Sequence, residues 1–227
     1  MKNVADLARI GLANRALDEV LQDIAEVANK AFPGAESTSI TLIRGGRPFT
    51  AAHVDQLALD ADELQYEQGH GPCMDAGRTG AVLLVEVMCA DARWPDYAAR
   101  VTGRGVRSSM STPLPYQGAT IGALNVYATA PAAFGCDDVP VAEEVASYIA
   151  VAVANADAHA EVRQVAEQMR EAMESRSVID MAKGMLMAQH GCSAEEAFTI
   201  LSHASQRSNR KLRDIARAMV DGSVGTA

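Results

Sequence analysis

Apolar residues recur along this chain in more than one rhythm, and each rhythm predicts a different element. Over residues 4–31, Val4, Leu7, Ala8, Leu12, Leu17, Val20, Leu21, Ile24, Val27 and Ala28 keep a mostly 3.6-residue period. That period predicts one helix, ended by Pro33-Gly34. The stretch "STSITLIRGGRPFTAAHV" sets Ile40 and Leu42 against Thr41 and Ile43 around Gly45-Gly46, a hairpin signal. "LDADELQYEQGHGPCMDAGRTG" reads as a short helix and a glycine-rich loop, in which Asp55, Asp60, Asp62 and Glu63 read as a polar loop and helix cap. "AVLLVEV" over 81–87 reads as a buried strand, and "DARWPDYAARVTGRGV" carries a short helix after Pro95. "SSMSTPLPYQGATIGALNVYA" over 108–128 makes two strands about Gln117-Gly118. Antiparallel strands between helices predict an α+β domain.

A third rhythm begins after Pro140. No Gly or Pro occurs from Val141 to Lys183, a run far longer than an average globular helix. Within it Ala158, Val162, Val165, Met169, Ala172, Arg176 and Ile179 alternate steps of four and three, a heptad seam. The seam predicts a short parallel coiled coil in a dimer; one long helix packed on its own domain is the alternative. Gly191 suits a helix C-terminus, and Ser193 with Glu196 forms a capping box that starts a second helix. Its core face is Ala197, Ile200, Leu201 and Ala204. Ser208 or Asn209 can cap a third helix, with Leu212, Ile215, Ala216, Met219 and Val220 as its apolar stripe and Gly222 at its end. The pattern divides the chain into an α+β domain over 1–157, a coiled-coil linker over 158–175, an all-α three-helix bundle over 176–222, and a flexible tail over 223–227.

Composition narrows the class. Hydrophobic residues at 48% and charged residues at 22% describe a globular chain. No run of 18 apolar residues occurs, so no transmembrane helix is expected, and the amphipathic N-terminus lacks the apolar core of a signal peptide. These features predict a cytoplasmic protein. Cys73, Cys89, Cys136 and Cys192 form no CxxC pair and the five histidines no paired motif, so neither a metal site nor a disulfide framework is expected. No nucleophile–base–orienter set or phosphate loop stands out, which argues against an enzyme. The net charge of −9 resides in the first 160 residues, where 11 Lys and Arg face 20 Asp and Glu. The remainder balances, yet "RSNRKLRDIAR" over 207–217 holds Arg207, Arg210, Lys211, Arg213 and Arg217 against Asp214 alone. That local excess is what a polyanion partner requires.

The stretch "RSVIDMAKGMLMAQHGCSAEEAFTILSHASQRSNRKLRDIARAMV" resembles an ANTAR domain along its length. The likeness is carried in order by Arg176, Ile179, Ala182-Lys183-Gly184, Leu186-Met187, Glu196-Ala197-Phe198, Leu201, Asn209, Lys211-Leu212 and Ala216. The first 157 residues resemble a GAF domain through "GHGPCMDAGRTG", "DARWPDYA", "GVRSSMSTPLPYQGATIGALNVYA" and "AAFGCDD". The resemblance implies a transcription antiterminator that binds RNA as a homodimer holding paired stem-loops in nascent or leader transcripts, with RNA polymerase reached only indirectly. It also implies a GAF sensor for a small-molecule effector, a cyclic nucleotide among the candidates, although no NKFDE-type motif is present and Cys73 is not in a bilin-attachment setting. A dimeric sensor or adaptor whose helical end binds a protein is the alternative.

The candidate RNA-binding residues are Arg176, Lys183, Gly184, Arg207, Asn209, Arg210, Lys211 and Arg213. Asn209 and a guanidinium are suited to reading splayed loop bases, and the other cations to phosphate. Arg176 either marks the opening of the seam, pairs with Glu174 or Asp180, or meets RNA. Gly184 stands in a helical pattern at a cost of about 1 kcal/mol relative to alanine. Either a second helix packs there or RNA approaches its backbone beside Lys183. Candidate ligand-binding residues in the sensor half are Tyr66, His70, Cys73, Met74, Trp94, Tyr97, Arg107, Ser109 and Asn125. Trp94 also suits a core position, and His70 a plain loop position.

Overall fold

The structure, a computed structural model, describes Leu7, Ile10 and residues 15–224. The chain divides into two compact units, residues 1–157 and 158–227. Most of the N-terminal part of the helix expected over 4–31 lies outside the described residues. Ala16 is extended, and α1 spans Leu17–Ala31, burying Val20, Leu21, Ile24, Ala25 and Ala28 on one face.

The hairpin follows as β1 (Ser37–Arg44) and β2 (Arg47–Val54), turning at Gly45-Gly46, both with positive φ. The stretch expected as a helix and a loop contains two helices, α2 (Gln56–Gln68) and α3 (Pro72–Thr79). Gly69 ends α2 in the left-handed region and Pro72 opens α3, so the glycines punctuate helices here rather than form a loop. A short β3 (Leu83–Val85), α4 (Pro95–Gly103), β4 (Ser108–Tyr116) and β5 (Ala119–Ala128) complete an antiparallel sheet of order β2-β1-β5-β4-β3. From Val139 the helix α5 runs without interruption to His190, 52 residues.

The two faces of the sheet differ in chemistry. On one, Ile40, Leu42, Leu114 and Leu124 pack with α1 and with Val145, Ala146, Ile149, Ala150 and Val153 of α5. On the other, pairing places Ser37 beside Tyr127 and Ser39 beside Asn125, and across β5 it places Ser109 beside Tyr127 and Ser111 beside Asn125. These polar residues are all but fully buried. The alternation in β1 was therefore read correctly as period two, but both of its faces lie inside.

α5 is also long and apolar enough to cross a membrane by length and composition, one 18-residue window reaching a mean hydropathy of 1.2. The apolar run is interrupted by residues such as Glu143, Glu144, Ser147 and Asn155, so a count of uninterrupted apolar residues does not register it. Burial of Ala142, Val145, Ala146, Ile149, Ala150, Ala152 and Val153 within the first unit accounts for that apolarity.

In the second unit the end of α5 packs with α6 (Ala194–Ser208) and α7 (Leu212–Val224) around Ala182, Leu186, Ala197, Leu201 and Ala216. The capping box is formed: the Glu196 amide donates to Ser193 Oγ at 3.2 Å, and the Ser193 amide donates to Glu196 Oε2 at 2.8 Å. Three details depart from the sequence reading. Ile200 is 42% exposed rather than in the core. Asn209, at φ 50°, terminates α6 rather than capping α7, and Ser208 Oγ donates back to the Ala204 carbonyl. α7 continues through Gly222 to Val224, so the tail outside the described residues is 225–227.

Gly122 in β5 is required by close packing: a Cβ there would fall well inside contact distance of the Thr41 backbone carbonyl on β1. Gly122→Ala should destabilise the chain by about 1–3 kcal/mol. Urea unfolding monitored by circular dichroism checks this, and a midpoint equal to that of the unsubstituted chain would show that the strands part without cost.

Candidate functional site

In the sensor half the polar sheet face is organised around Asp62. α2 carries this carboxylate onto the strands, where its side chain is fully buried. Oδ1 accepts from Tyr127 OH at 2.6 Å and Asn125 Nδ2 at 3.3 Å, and Oδ2 accepts from Thr50 Oγ1 at 2.8 Å. Tyr66 OH lies 2.8 Å from Thr41 Oγ1 and 3.0 Å from Thr50 Oγ1. Gln65 donates to Tyr127 OH at 3.2 Å and accepts from the Cys73 amide at 2.7 Å. Asn125 Nδ2 also reaches Ser39 Oγ, Thr41 Oγ1 and Cys73 Sγ at 3.1–3.3 Å.

No cation pairs with Asp62 among the described residues. Burial raises its pKa above the ordinary carboxylate value, and the surrounding hydroxyl groups pull the other way. Burial, reinforced by Asp62, pushes the Cys73 thiol up to about 12, so it is held as a thiol and not as a reactive thiolate. Ser109 Oγ, Ser111 Oγ and Asn125 Oδ1 are buried on the same face and have no hydrogen-bond partner. Such groups cost free energy unless water or a ligand satisfies them.

Of the ligand-binding candidates, the fold brings Tyr66, Cys73 and Asn125 into one hydrogen-bonded network, with Ser109 on the same sheet face. Met74 and Cys73 line a cleft beside it. Trp94 and Tyr97 are packing residues in a cluster with Val85, Val101 and Tyr127. Trp94 Nε1 donates to Asp75 at 2.6 Å, and the Arg93 guanidinium sits 4.5 Å from its ring centre. His70 is half-buried between α2 and α3, and Arg107 points to solvent; neither joins the network. Sequence reasoning missed Asp62, Thr41, Thr50 and Gln65. The available signal was the row Ser37, Ser39, Thr41, polar at every second position of a strand.

In the helical half, Arg176 and Lys183 both face Asp180, at 3.9 and 3.2 Å. The pairing of Arg176 thus falls on Asp180 rather than Glu174. Gly184 is exposed, and a Cβ built there would meet nothing within 4 Å, so among the described residues no helix packs against it. Arg207 closes α6, Asn209, Arg210 and Lys211 make the turn, and Arg213 stands in the first turn of α7. Arg213 pairs with Glu171 at 3.5 Å and Asp214 at 3.9 Å. Arg207, Arg210, Lys211 and Arg217 are exposed and form no ion pair among the described residues. Arg210, Lys211 and Arg213 thus gather at the positive end of the α7 dipole, where cations are disfavoured and anions bind.

An α+β domain with a polar, buried sheet face is thus followed by a helical module with an exposed basic turn. The GAF domain family model matches residues 14–154, and the ANTAR domain model matches residues 167–220. The chain belongs to the GAF domain family and carries an ANTAR domain behind it, which makes it a GAF–ANTAR regulator of the RNA-binding, antitermination kind.

Among solved structures, the type II free methionine-R-sulfoxide reductase from Thermoplasma acidophilum is 18% identical, with 61% of this chain and 95% of that one covered at a TM-score of 0.52. The GAF domain of a phosphoenolpyruvate-protein phosphotransferase from Coxiella burnetii is 15% identical, with 70% and 95% covered at a TM-score of 0.56. These likenesses establish the fold alone. No curated protein matches.

The raised pKa of Asp62 has a definite sign in stability. The folded chain holds that proton more tightly than the unfolded one, so the contribution is present below about pH 4 and is lost as pH rises through the folded-state value. Asp62→Asn should therefore gain stability relative to the unsubstituted chain as pH rises across that window. A series of urea titrations measures the difference, and a difference constant with pH would mean that Asp62 titrates as an ordinary carboxylate.

Proposed function

We propose that this chain is a homodimeric, cytoplasmic, non-catalytic regulator that grips paired stem-loops in nascent or leader transcripts. Occupancy of the sensor half by a small molecule controls the grip, and RNA polymerase is affected only through the RNA. One observation carries the reading: uncompensated cations cluster at the α6–α7 turn, at the positive end of α7, in a chain whose net charge is −9. That arrangement opposes the helix dipole and gains its energy from a polyanion. Asn209, held in the turn, is suited to reading a splayed base; Arg176, Lys183, Arg207, Arg210, Lys211 and Arg213 supply phosphate contacts.

The seam on α5 supports the dimer. Its Val162, Val165 and Met169 are 51–67% exposed, a stripe of large apolar side chains that the described residues leave uncovered. Asn155 and the exposed Val151 continue the same a and d positions toward the sensor, and an asparagine at an a position favours a fixed register. A second reading, a protein-binding adaptor, is favoured by the exposed Phe198 and Ile200 on α6. Salt separates the two, since binding through an apolar face depends weakly on ionic strength.

With about three phosphates met per module, the logarithm of RNA affinity should fall with log salt at a slope of about −2 per module. Lys211→Ala should flatten that slope by about one unit or less. Gly184→Ala should lower affinity for paired stem-loops by about ten-fold while the bundle keeps its stability or gains up to about 1 kcal/mol. Filter binding across a salt series, paired with thermal melts, reads both. Salt-independent binding favours the adaptor reading, and undiminished RNA affinity in Gly184→Ala removes the glycine from the site.

Val165→Glu with Met169→Glu should weaken self-association by about a hundred-fold or more, as measured by sedimentation equilibrium. A wild-type chain that sediments as a monomer at micromolar concentration would contradict the seam.

A further inference from the structure

A cleft of about 240 Å³ lies where the β1–β2 hairpin, α3 and β5 meet. Its walls are apolar, formed by Ile43 and Pro48 of the hairpin and Met74 of α3. Polar groups enter through Thr41 and Cys73, two members of the Asp62 network that are hydrogen-bonded to each other. The one charged residue on its lining is Arg78, whose guanidinium is engaged by Asp75. An anion would therefore meet no unpaired cation, and a cation no free carboxylate. The volume is small beside ordinary ligand pockets, which run from about 300 Å³ upward.

We infer that this cleft is the effector site, and that it takes a small, uncharged, mainly apolar molecule with one hydrogen-bonding group directed at Thr41 and Cys73. This rests on the sensor reading of residues 1–157. The same features disfavour a nucleotide, which carries a phosphate and a larger polar body.

The cleft also has a built route to the long helix. Arg44 follows Ile43 in the hairpin, and its two terminal nitrogens donate to the two Asp157 carboxylate oxygens at 2.7 and 2.8 Å. Asp157 is the last residue of the first unit and lies on α5. A two-pronged guanidinium–carboxylate pair fixes orientation as well as distance. A molecule wedged against Ile43 and Pro48 shifts the hairpin, and the Arg44–Asp157 clamp passes that shift to α5.

The test uses the full chain with 13C-labelled methionine methyls and indole as the probe. Tryptamine and indole-3-acetate supply the same ring with a charge of either sign, and cyclic AMP supplies the nucleotide arm. Indole should shift the Met74 methyl saturably, with the charged analogues and cyclic AMP about ten-fold weaker or worse. Gly77→Leu should abolish the shift, because a Cβ at Gly77 faces only Ile43 Cδ1, at 3.7 Å, and the longer side chain fills the cleft. Gly77→Ala, which adds one methyl without a clash, should weaken it in part and guards against a misfolded leucine variant. Arg44→Ala should leave indole affinity within about two-fold yet remove any effect of indole on stem-loop affinity, and Arg44→Asp with Asp157→Arg should restore it.

A Met74 shift produced equally by cyclic AMP or the charged analogues overturns the ligand class. A shift that survives Gly77→Leu overturns the site, as does the absence of any shift at millimolar indole. Coupling that persists in Arg44→Ala overturns the clamp. The methyl measurements need no RNA, so a failure of RNA binding leaves the site itself tested.

Discussion

One uninterrupted helix supplies buried side chains to both compact units. Early in α5, Ala142, Val145, Ala146, Ile149 and Val153 complete the apolar core beneath the sheet; near its end, Ala182 and Leu186 sit in the core of the bundle. Between them nearly every side chain from 157 to 177 is exposed. A backbone-hydrogen-bonded helix resists local bending unless Pro, Gly or an inserted side chain interrupts it, and no Pro or Gly occurs from Val141 to Lys183. On the proposed reading, the exposed middle serves pairing, and a displacement at the sensor end is borne by the rod rather than absorbed in a linker.

The sheet divides labour in a corresponding way. Its oily face packs against α1 and α5. Its hydroxyl-rich face carries a buried carboxylate that meets no cation among the described residues, and several polar atoms without a partner there. A chain selected for stability alone would fill such a surface with Val or Ile, because buried polar groups gain little even when satisfied. Polar residues retained there fit a domain whose interior responds to what enters it.

Much of this was legible in the sequence wherever a local rule decides the outcome. The turn at Gly45-Gly46, Gly191 at the end of α5 and the Ser193–Glu196 capping box each follow from local backbone and capping chemistry, and each stands where it was read. The misreadings came from tertiary context. Gly69 and Gly71 separate two helices, and Pro72, which opens α3, stands among glycines that read as a loop. Ile200 follows the helical period of the core but lies at its margin. Asp62 reads as a surface acid in "LDADELQ" until β1 and β5 bring Thr41, Asn125 and Tyr127 over it, from residues 21 to 65 positions away. The cleft is likewise invisible in sequence, since its lining comes from three separate segments.

Amide hydrogen exchange on the full chain, with and without saturating paired stem-loop RNA, tests the central claim most directly. The account predicts slowed exchange at residues 183–185 and 207–213, together with slowed exchange along 158–176 as the rod is held in its paired form. Protection confined to the sensor half, or no change at the α6–α7 turn while RNA is demonstrably bound, would contradict it.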